Sequence, residues 1–156
     1  MSVMVRVDDR LVHGQVVVGW GRAMRLKRIV LVDDVISGSE WEQELYRMGV
    51  PEGMEIEFAS VDDAATGFAR WNAERDHTML LVGEVDTLLR LGAVAPVARV
   101  NLGGVHQATG RTERLPYVFL SDEEAAQLQT LADRGVVITA QDVPTAPPIP
   151  LAEFVP

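Results

Sequence analysis

Four residues able to do chemistry stand close together near the start of the chain: Asp8, Asp9, Arg10 and His13, in the run Asp8-Asp9-Arg10-Leu11-Val12-His13-Gly14-Gln15. A neutral imidazole is a nucleophile, and histidine's ordinary pKa near 6.5 keeps that form abundant at neutral pH. A phosphoryl group in flight spreads charge over its oxygens, so hydrogen-bond donors and positive charge must be ready around it. Arg10 offers a planar fork of donors. The backbone N–H groups of Leu11, Val12, Gly14 and Gln15 suit a phosphate-binding nest, and Gly14 has no Cβ to keep the backbone away from the anion. The run therefore predicts a histidine presented for phosphate chemistry. The carboxylates are harder to place, because each repels a phosphate. They can hold Arg10, fix the tautomer of His13 through its other ring nitrogen, or keep a phosphohistidine labile, and the residues alone leave these roles open.

The other candidates are weaker. His77 follows Arg75-Asp76 at the mouth of a strand and reads as a surface histidine. His106 lies in Gly103-Gly104-Val105-His106-Gln107, a loop that leaves a strand end towards the His13 edge, and a surface turn is the favoured reading. No metal constellation stands out, because the histidines lack partner spacing and the pairs Asp33-Asp34 and Asp62-Asp63 suit strand ends and helix starts. Gly103-Gly104 is too sparse for a dinucleotide fingerprint, and there is no Walker-type loop. Neither cofactor nor metal is expected. Trp20, Trp41 and Trp71 fall in helix candidates, where core or half-buried packing is the default.

Composition narrows the class. With 156 residues the chain suits one domain with a sizeable core. It carries a net charge of −9, which disfavours binding to a nucleic-acid backbone. Arg22, Arg25, Lys27 and Arg28 form a local basic cluster, either helix C-terminal cations or a docking patch near His13. There is no cysteine, no apolar run of membrane-spanning length and no signal-peptide core, which together predict a cytoplasmic protein.

The elements that must position the His13 run are strands alternating with helices. Strands are expected over Val3–Val7, Arg28–Asp33, Glu55–Ser60, Thr78–Gly83, Ala98–Leu102 and Val136–Ala140. Helices are expected over Gly14–Met24, Ser39–Met48, Val61–Ala73, Val85–Leu91 and Asp122–Arg134. Near-continuous apolar strands such as Ile29-Val30-Leu31-Val32 are those of a largely parallel sheet covered on both faces. Ser121 with Glu124 forms a capping-box pattern, Ser60 is an N-cap candidate, and Gly135 suits a left-handed stop. The stretch from Asn101 to Arg114 reads as a loop leading to a shorter strand, Leu115–Leu120. The tail from Val143 holds five prolines and is expected to lie extended rather than helical. His13 thus sits at a strand-to-helix turn, on the sheet edge where ligands bind in parallel α/β folds.

The run Arg6-Val7-Asp8-Asp9-Arg10-Leu11-Val12-His13-Gly14-Gln15-Val16 resembles the start of the enzyme IIB subunits of the bacterial sugar phosphotransferase system, mannose/fructose/sorbose family. The likeness continues through Trp20, Ile29 to Asp34 and Pro51-Glu52-Gly53. It resumes at Asn101 to His106 and from Gly135 through Gln141 and Pro144, and so covers almost the whole chain in order. The resemblance implies a three-layer α/β/α sandwich with a mainly parallel sheet of six or seven strands. It implies a protein-phosphohistidine–sugar phosphotransferase in which His13 accepts a phosphoryl group at Nδ1 from a phosphorylated IIA protein. His13 would then pass the group to a sugar held by IIC and IID membrane subunits. Arg10 would steady the phosphate, Asp8 would lie in the same loop, and a homodimer and peripheral association with the transporter are further implications.

Two segments depart from the pattern: Thr145 to Pro156 is richer in proline, and Val35-Ile36-Ser37-Gly38-Ser39 replaces more acidic or small polar residues. Neither touches the His13 run. Two other readings share the same loop: a regulatory phosphocarrier with no transport role, and a module that binds a phosphorylated ligand without reacting. Ile149, Leu151 and Phe154 of the tail suit either an interface or a return onto the same subunit.

Overall fold

β-Branched and leucine-rich runs fill the centre of the molecule. The structure, a computed structural model, describes residues 3–156. Strands β1 (Val3–Asp8), β2 (Leu26–Val32), β3 (Glu55–Ala59), β4 (His77–Val82), β5 (Arg99–Gly104), β8 (Val137–Ala140) and β9 (Ile149–Pro150) form one seven-stranded sheet in the order β3-β2-β4-β1-β5-β8-β9. All neighbours are parallel except β9, which runs antiparallel to β8. This is the expected mainly parallel sheet.

The two faces of the sheet carry different helices. On one, Val5, Val7, Val30, Val32, Leu80, Val82, Val100 and Leu102 pack against α3 (Val61–Ala73), α4 (Val85–Val94) and α5 (Asp122–Asp133). On the other, Ile29, Leu31, Met79 and Leu81 pack against Val16, Val17 and Trp20 of the first helical segment, with Tyr46 of α2 (Glu40–Met48) beside them. The result is a three-layer α/β/α sandwich. Chain leaving β1 passes to one face, whereas chain leaving its neighbours β4 and β5 passes to the other. The carboxyl end of β1 is therefore a topological switch point, the place where such sheets open a crevice for ligands.

Local signals act as the sequence predicts in several places. The Ser60 hydroxyl accepts from Asp63 N at 3.1 Å and starts α3. Ser121 and Glu124 complete the capping box of α5, and Gly135, at φ +96°, ends it.

Four expectations need correction. The helix expected over Gly14–Met24 is a π-helical segment, Gln15–Trp20, which tightens into one α-helical turn, α1 (Gly21–Ala23). The loop and single strand expected after Gly104 form a hairpin, β6 (Thr112–Leu115) and β7 (Val118–Leu120), because Pro116-Tyr117 turns the chain inside the span read as one strand. The proline-rich tail is not extended throughout. Pro150 stands at the N-cap, where a missing N–H costs nothing, and α6 (Leu151–Phe154) follows as a helical turn. Leu151 and Phe154 are buried in this chain's own core with Ile149 packed beside them, so they return to the same subunit rather than offering an interface. Finally, Trp20 and Trp71 are buried, but Trp41 is 69% exposed on α2, a helix with no buried residue.

Candidate functional site

The turn after β1 is set by Leu11. Its φ of +58° is left-handed, its N–H donates to the Asp8 carbonyl at 2.9 Å, and its side chain packs where a Cβ on Gly83 would lie 3.0 Å away. This reversal folds residues 8–13 back on themselves, so that Arg10 and His13 both reach the Asp8 side chain. It also engages the Leu11 amide. The expected phosphate nest of Leu11, Val12, Gly14 and Gln15 therefore loses its first donor, and Leu11 shapes the turn instead. A Cβ on Gly14 would have nothing within 4 Å, so the space beside it is open. The Gln15 side chain lies outside the described part of the structure.

Asp8 is the hub. Its side chain is fully buried, and its Oδ1 accepts from Arg10 N and Nε, both at 3.1 Å. Its Oδ2 accepts from Arg10 Nη2 at 3.0 Å and lies 3.2 Å from His13 Nε2. Burial pushes the Asp8 carboxyl up. The hydrogen bonds from Arg10 and His13 outweigh that and hold it below the ordinary carboxylate range. An ionised Asp8 is an acceptor only, so the 3.2 Å contact assigns the ring proton to His13 Nε2 and leaves the lone pair on Nδ1. Asp8 thus contacts both groups that the sequence set beside it, the Arg10 guanidinium and the Nε2 of His13. The Arg10 and His13 side chains are 34% and 20% exposed, so both are reachable from solvent. The bond to Asp8 also holds the Arg10 guanidinium more firmly protonated than usual.

Beneath this layer lies Arg6, which sequence reasoning missed. It is fully buried, with Nη2 3.6 Å from Asp8 Oδ2. Its guanidinium donates to Asn101 Oδ1 and to the carbonyls of Gln141 at 3.0 Å and Asp142 at 3.1 Å. It stacks 4.5 Å from the Trp20 ring, whose Nε1 donates to the same Asp142 carbonyl at 3.3 Å. Burial lowers its pKa to about 10, still protonated at neutral pH. The space it occupies explains Gly103, where a Cβ would fall 2.0 Å from the Arg6 Cζ. A charged residue in the middle of the apolar run Val3-Met4-Val5-Arg6-Val7 was the available signal.

Asp9 faces away from Asp8. Its N–H donates to the Gly104 carbonyl at 2.9 Å, and its carboxylate takes the backbone N–H of His106 at 2.7 Å and lies 2.5 Å from His106 Nδ1. His106, expected as a surface turn, is 56% exposed yet tied to the same loop as His13. His77 is exposed at the start of β4, the opposite end of the sheet. The basic cluster also lies away from the site: Arg28, at the start of β2, pairs with Glu74 at 2.6 Å and Glu55 at 3.2 Å. Among the described residues no group of three or more His, Cys, Asp or Glu side chains is arranged to hold a metal.

A buried carboxylate that fixes an imidazole tautomer, with an arginine fork alongside, on the carboxyl edge of a mainly parallel α/β sandwich, defines a histidine site suited to phosphoryl groups. The chain belongs to the phosphotransferase-system sorbose subfamily IIB component family, whose model matches residues 2–156. It is 29% identical over 150 residues to the N-acetylgalactosamine-specific phosphotransferase enzyme IIB component 2 of Escherichia coli K12, covering 96% of this chain and 95% of that one. It is 27% identical over 157 residues to the mannose-specific EIIAB component of E. coli K12, matching 97% of this chain but 47% of that longer protein. The crystal structure of manxB from Thermoanaerobacter tengcongensis superposes with a TM-score of 0.88 at 29% identity, covering 98% of this chain and 94% of that one. The protein is thus a phosphoryl-transfer subunit of the sugar phosphotransferase class, and such subunits work with IIA and IIC/IID partners. None of the described helices is long and apolar enough to cross a membrane.

Proposed function

We propose that His13 is the phosphoacceptor of this subunit, with Nδ1 as the attacking atom. The observation that carries the reading is the 3.2 Å contact between Asp8 Oδ2 and His13 Nε2, which leaves Nδ1 as the nucleophilic nitrogen. The Nδ1 lone pair attacks phosphorus on a phosphorylated IIA protein. The P–N bond to the donor breaks with its electron pair staying on the donor nitrogen, and the Nδ1–P bond forms. The His13 ring keeps its Nε2 proton and gains positive charge, which the buried Asp8 carboxylate balances. Arg10, held by Asp8 through two nitrogens, faces the phosphoryl oxygens, and the amides of Val12 and Gly14 with that of Gln15 complete the cradle. A hydroxyl of the sugar held by IIC and IID membrane subunits then attacks the same phosphorus: the O–P bond forms as the Nδ1–P bond breaks, its electron pair returns to Nδ1 of His13, and the hydroxyl proton is lost to solvent. The protein works in the cytoplasm, against the inner face of that transporter.

Intact-mass measurement after incubation with a phosphorylated IIA protein tests this. One acid-labile phosphate on the parent protein and none on His13→Ala is the expected result. Equal labelling of the two overturns it.

A further inference from the structure

Asp8 and Asp9 are consecutive, and each holds a histidine by the opposite ring nitrogen. Asp8 takes Nε2 of His13, at 3.2 Å, and so leaves Nδ1 available. Asp9 takes Nδ1 of His106, at 2.5 Å, and so leaves Nε2. The second pair is built across the sheet, because β5 lies beside β1 and carries His106 to the same edge. The strand end leading to it runs against the groups that frame His13: a Cβ on Gly104 would lie 3.1 Å from Asp8 Oδ1 and 3.4 Å from Arg10 Nη2. His106 is also braced from behind. Arg111 Nη1 donates to its carbonyl at 2.9 Å, and the same guanidinium grips Glu124 of α5 through two bonds of 2.9 Å. The ring itself is 56% exposed.

We propose that His106 is a second catalytic residue of the transfer, its Nε2–H donating to a phosphoryl oxygen as the group moves between the donor and His13. This rests on the reading of His13 as the acceptor. A phosphoryl group in transit carries charge on three equatorial oxygens, and one arginine fork does not cover them all. Asp9 alone at this edge would repel the group. The form of His106 that can donate is the one with a proton on each ring nitrogen: its two N–H bonds diverge, so a ring held at Nδ1 by Asp9 points Nε2–H away from that carboxylate. The Asp9–His106 pair thereby turns a repelling carboxylate into the anchor of a donor.

Asparagine places its amide nitrogen near the Nδ1 position of histidine, and glutamine places its own near Nε2. The two variants therefore separate the anchoring bond from the proposed phosphate contact. The parent protein, His106→Asn and His106→Gln are treated with potassium phosphoramidate, and phosphate on the peptide containing His13 is followed by mass spectrometry, with thermal melting alongside. In that reaction the donor P–N bond breaks, ammonia leaves and the Nδ1–P bond forms. His106→Asn should label His13 about 10-fold more slowly than the parent, the scale of one transition-state donor at a solvent-open site. His106→Gln should recover most of that rate, and both should melt with the parent. Parent-like labelling of His106→Asn overturns the proposal. So does a slow His106→Gln beside a fast His106→Asn, which would make the ring a structural clamp, and so does slowing that follows a lowered melting temperature. A parent protein left unlabelled at His13 instead overturns the reading of His13 itself, and this proposal with it.

Discussion

Asp8 Oδ2 accepts from His13 Nε2 at 3.2 Å while the same carboxylate grips Arg10, so one buried side chain sets both the tautomer of the histidine and the position of the guanidinium. Asp8→Asn separates charge from shape. The amide has nearly the same size, but it can donate to Nε2 and so drive the ring proton onto Nδ1, the proposed attacking atom. It also cannot balance the charge that the ring gains on phosphorylation. His13 phosphorylation in Asp8→Asn should fall by roughly 10²- to 10⁴-fold, the range seen when an orienting carboxylate beside a catalytic histidine becomes an amide. Single-turnover labelling checks it, and a rate within about threefold of the parent would contradict the role.

Asp8 also couples the site to acid stability. Its carboxyl titrates below the ordinary carboxylate range in the folded protein. A group whose folded pKa is depressed contributes stability that is present above its unfolded pKa, near 3.9, and lost as pH falls through the folded value. Glu124, held low against burial by Arg111 and the Ser121 amide, acts in the same direction. Melting temperature should therefore hold from neutrality down to about pH 5 and drop steeply below it. Asp8→Asn should start lower and show a shallower drop, because it lacks one of the titrating groups. Parallel curves for the two proteins would show that Asp8 is not a source of the acid limb.

Gly103 tests the buried arginine layer. An alanine Cβ there would stand 2.0 Å from the Arg6 Cζ, and Arg6 is tied to Asn101, Gln141, Asp142, Asp8 and the Trp20 ring, so it has no room to retreat. Gly103→Ala should destabilise by about 3 kcal/mol, the cost of forcing an overpacked core. Gly14→Ala, at φ −53° with nothing within 4 Å of its Cβ, should change stability by under about 1 kcal/mol in either direction. Urea midpoints of the two variants give the comparison, and a Gly103→Ala midpoint matching that of Gly14→Ala would refute the packing argument.

Local chemistry was legible in the sequence, and long-range pairing was not. Strand-to-helix alternation placed the His13 turn on the carboxyl edge, and Val61–Ala73 and the Ser121 box were readable because their signals lie within a few residues of the elements they control. The pairing of Asp9 with His106 joins residues 97 apart and depends on β5 lying beside β1, which no local pattern encodes. Arg6 reads as an ordinary strand charge until Gly103 and the carbonyls of Gln141 and Asp142 surround it. The π-helical start and the helical turn at Leu151 escaped for a related reason. Trp20 at the end of the first stacks on Arg6, and Phe154 of the second reaches the core, long-range contacts that no local pattern encodes.

Arg10 separates phosphate recognition from stability. Its side chain is 34% exposed, and Asp8 receives its Nε and one terminal nitrogen in a fork. Asp8 is fully buried while Arg10 is half-open, so Arg10→Lys, which keeps a charge against the carboxylate, should melt within roughly 1 kcal/mol of the parent, whereas Arg10→Gln leaves that carboxylate short of donors and should cost about 1–3 kcal/mol. Their effect on transfer should be larger and graded. Lysine keeps a positive charge near the phosphoryl oxygens but cannot hold Asp8 and a phosphate at once through a planar fork, whereas glutamine loses the charge as well. Labelling of His13 should slow by about 10-fold in Arg10→Lys and by about 100-fold in Arg10→Gln, the scale of losing one preorganised donor and then its charge. The loss should appear in the maximal rate at saturating donor more than in the donor concentration at half-maximal rate, because the guanidinium meets the charge that develops in flight. If both variants instead keep the parent's maximal rate and only require more donor, Arg10 serves docking, and the cradle must be built from the loop amides and His106.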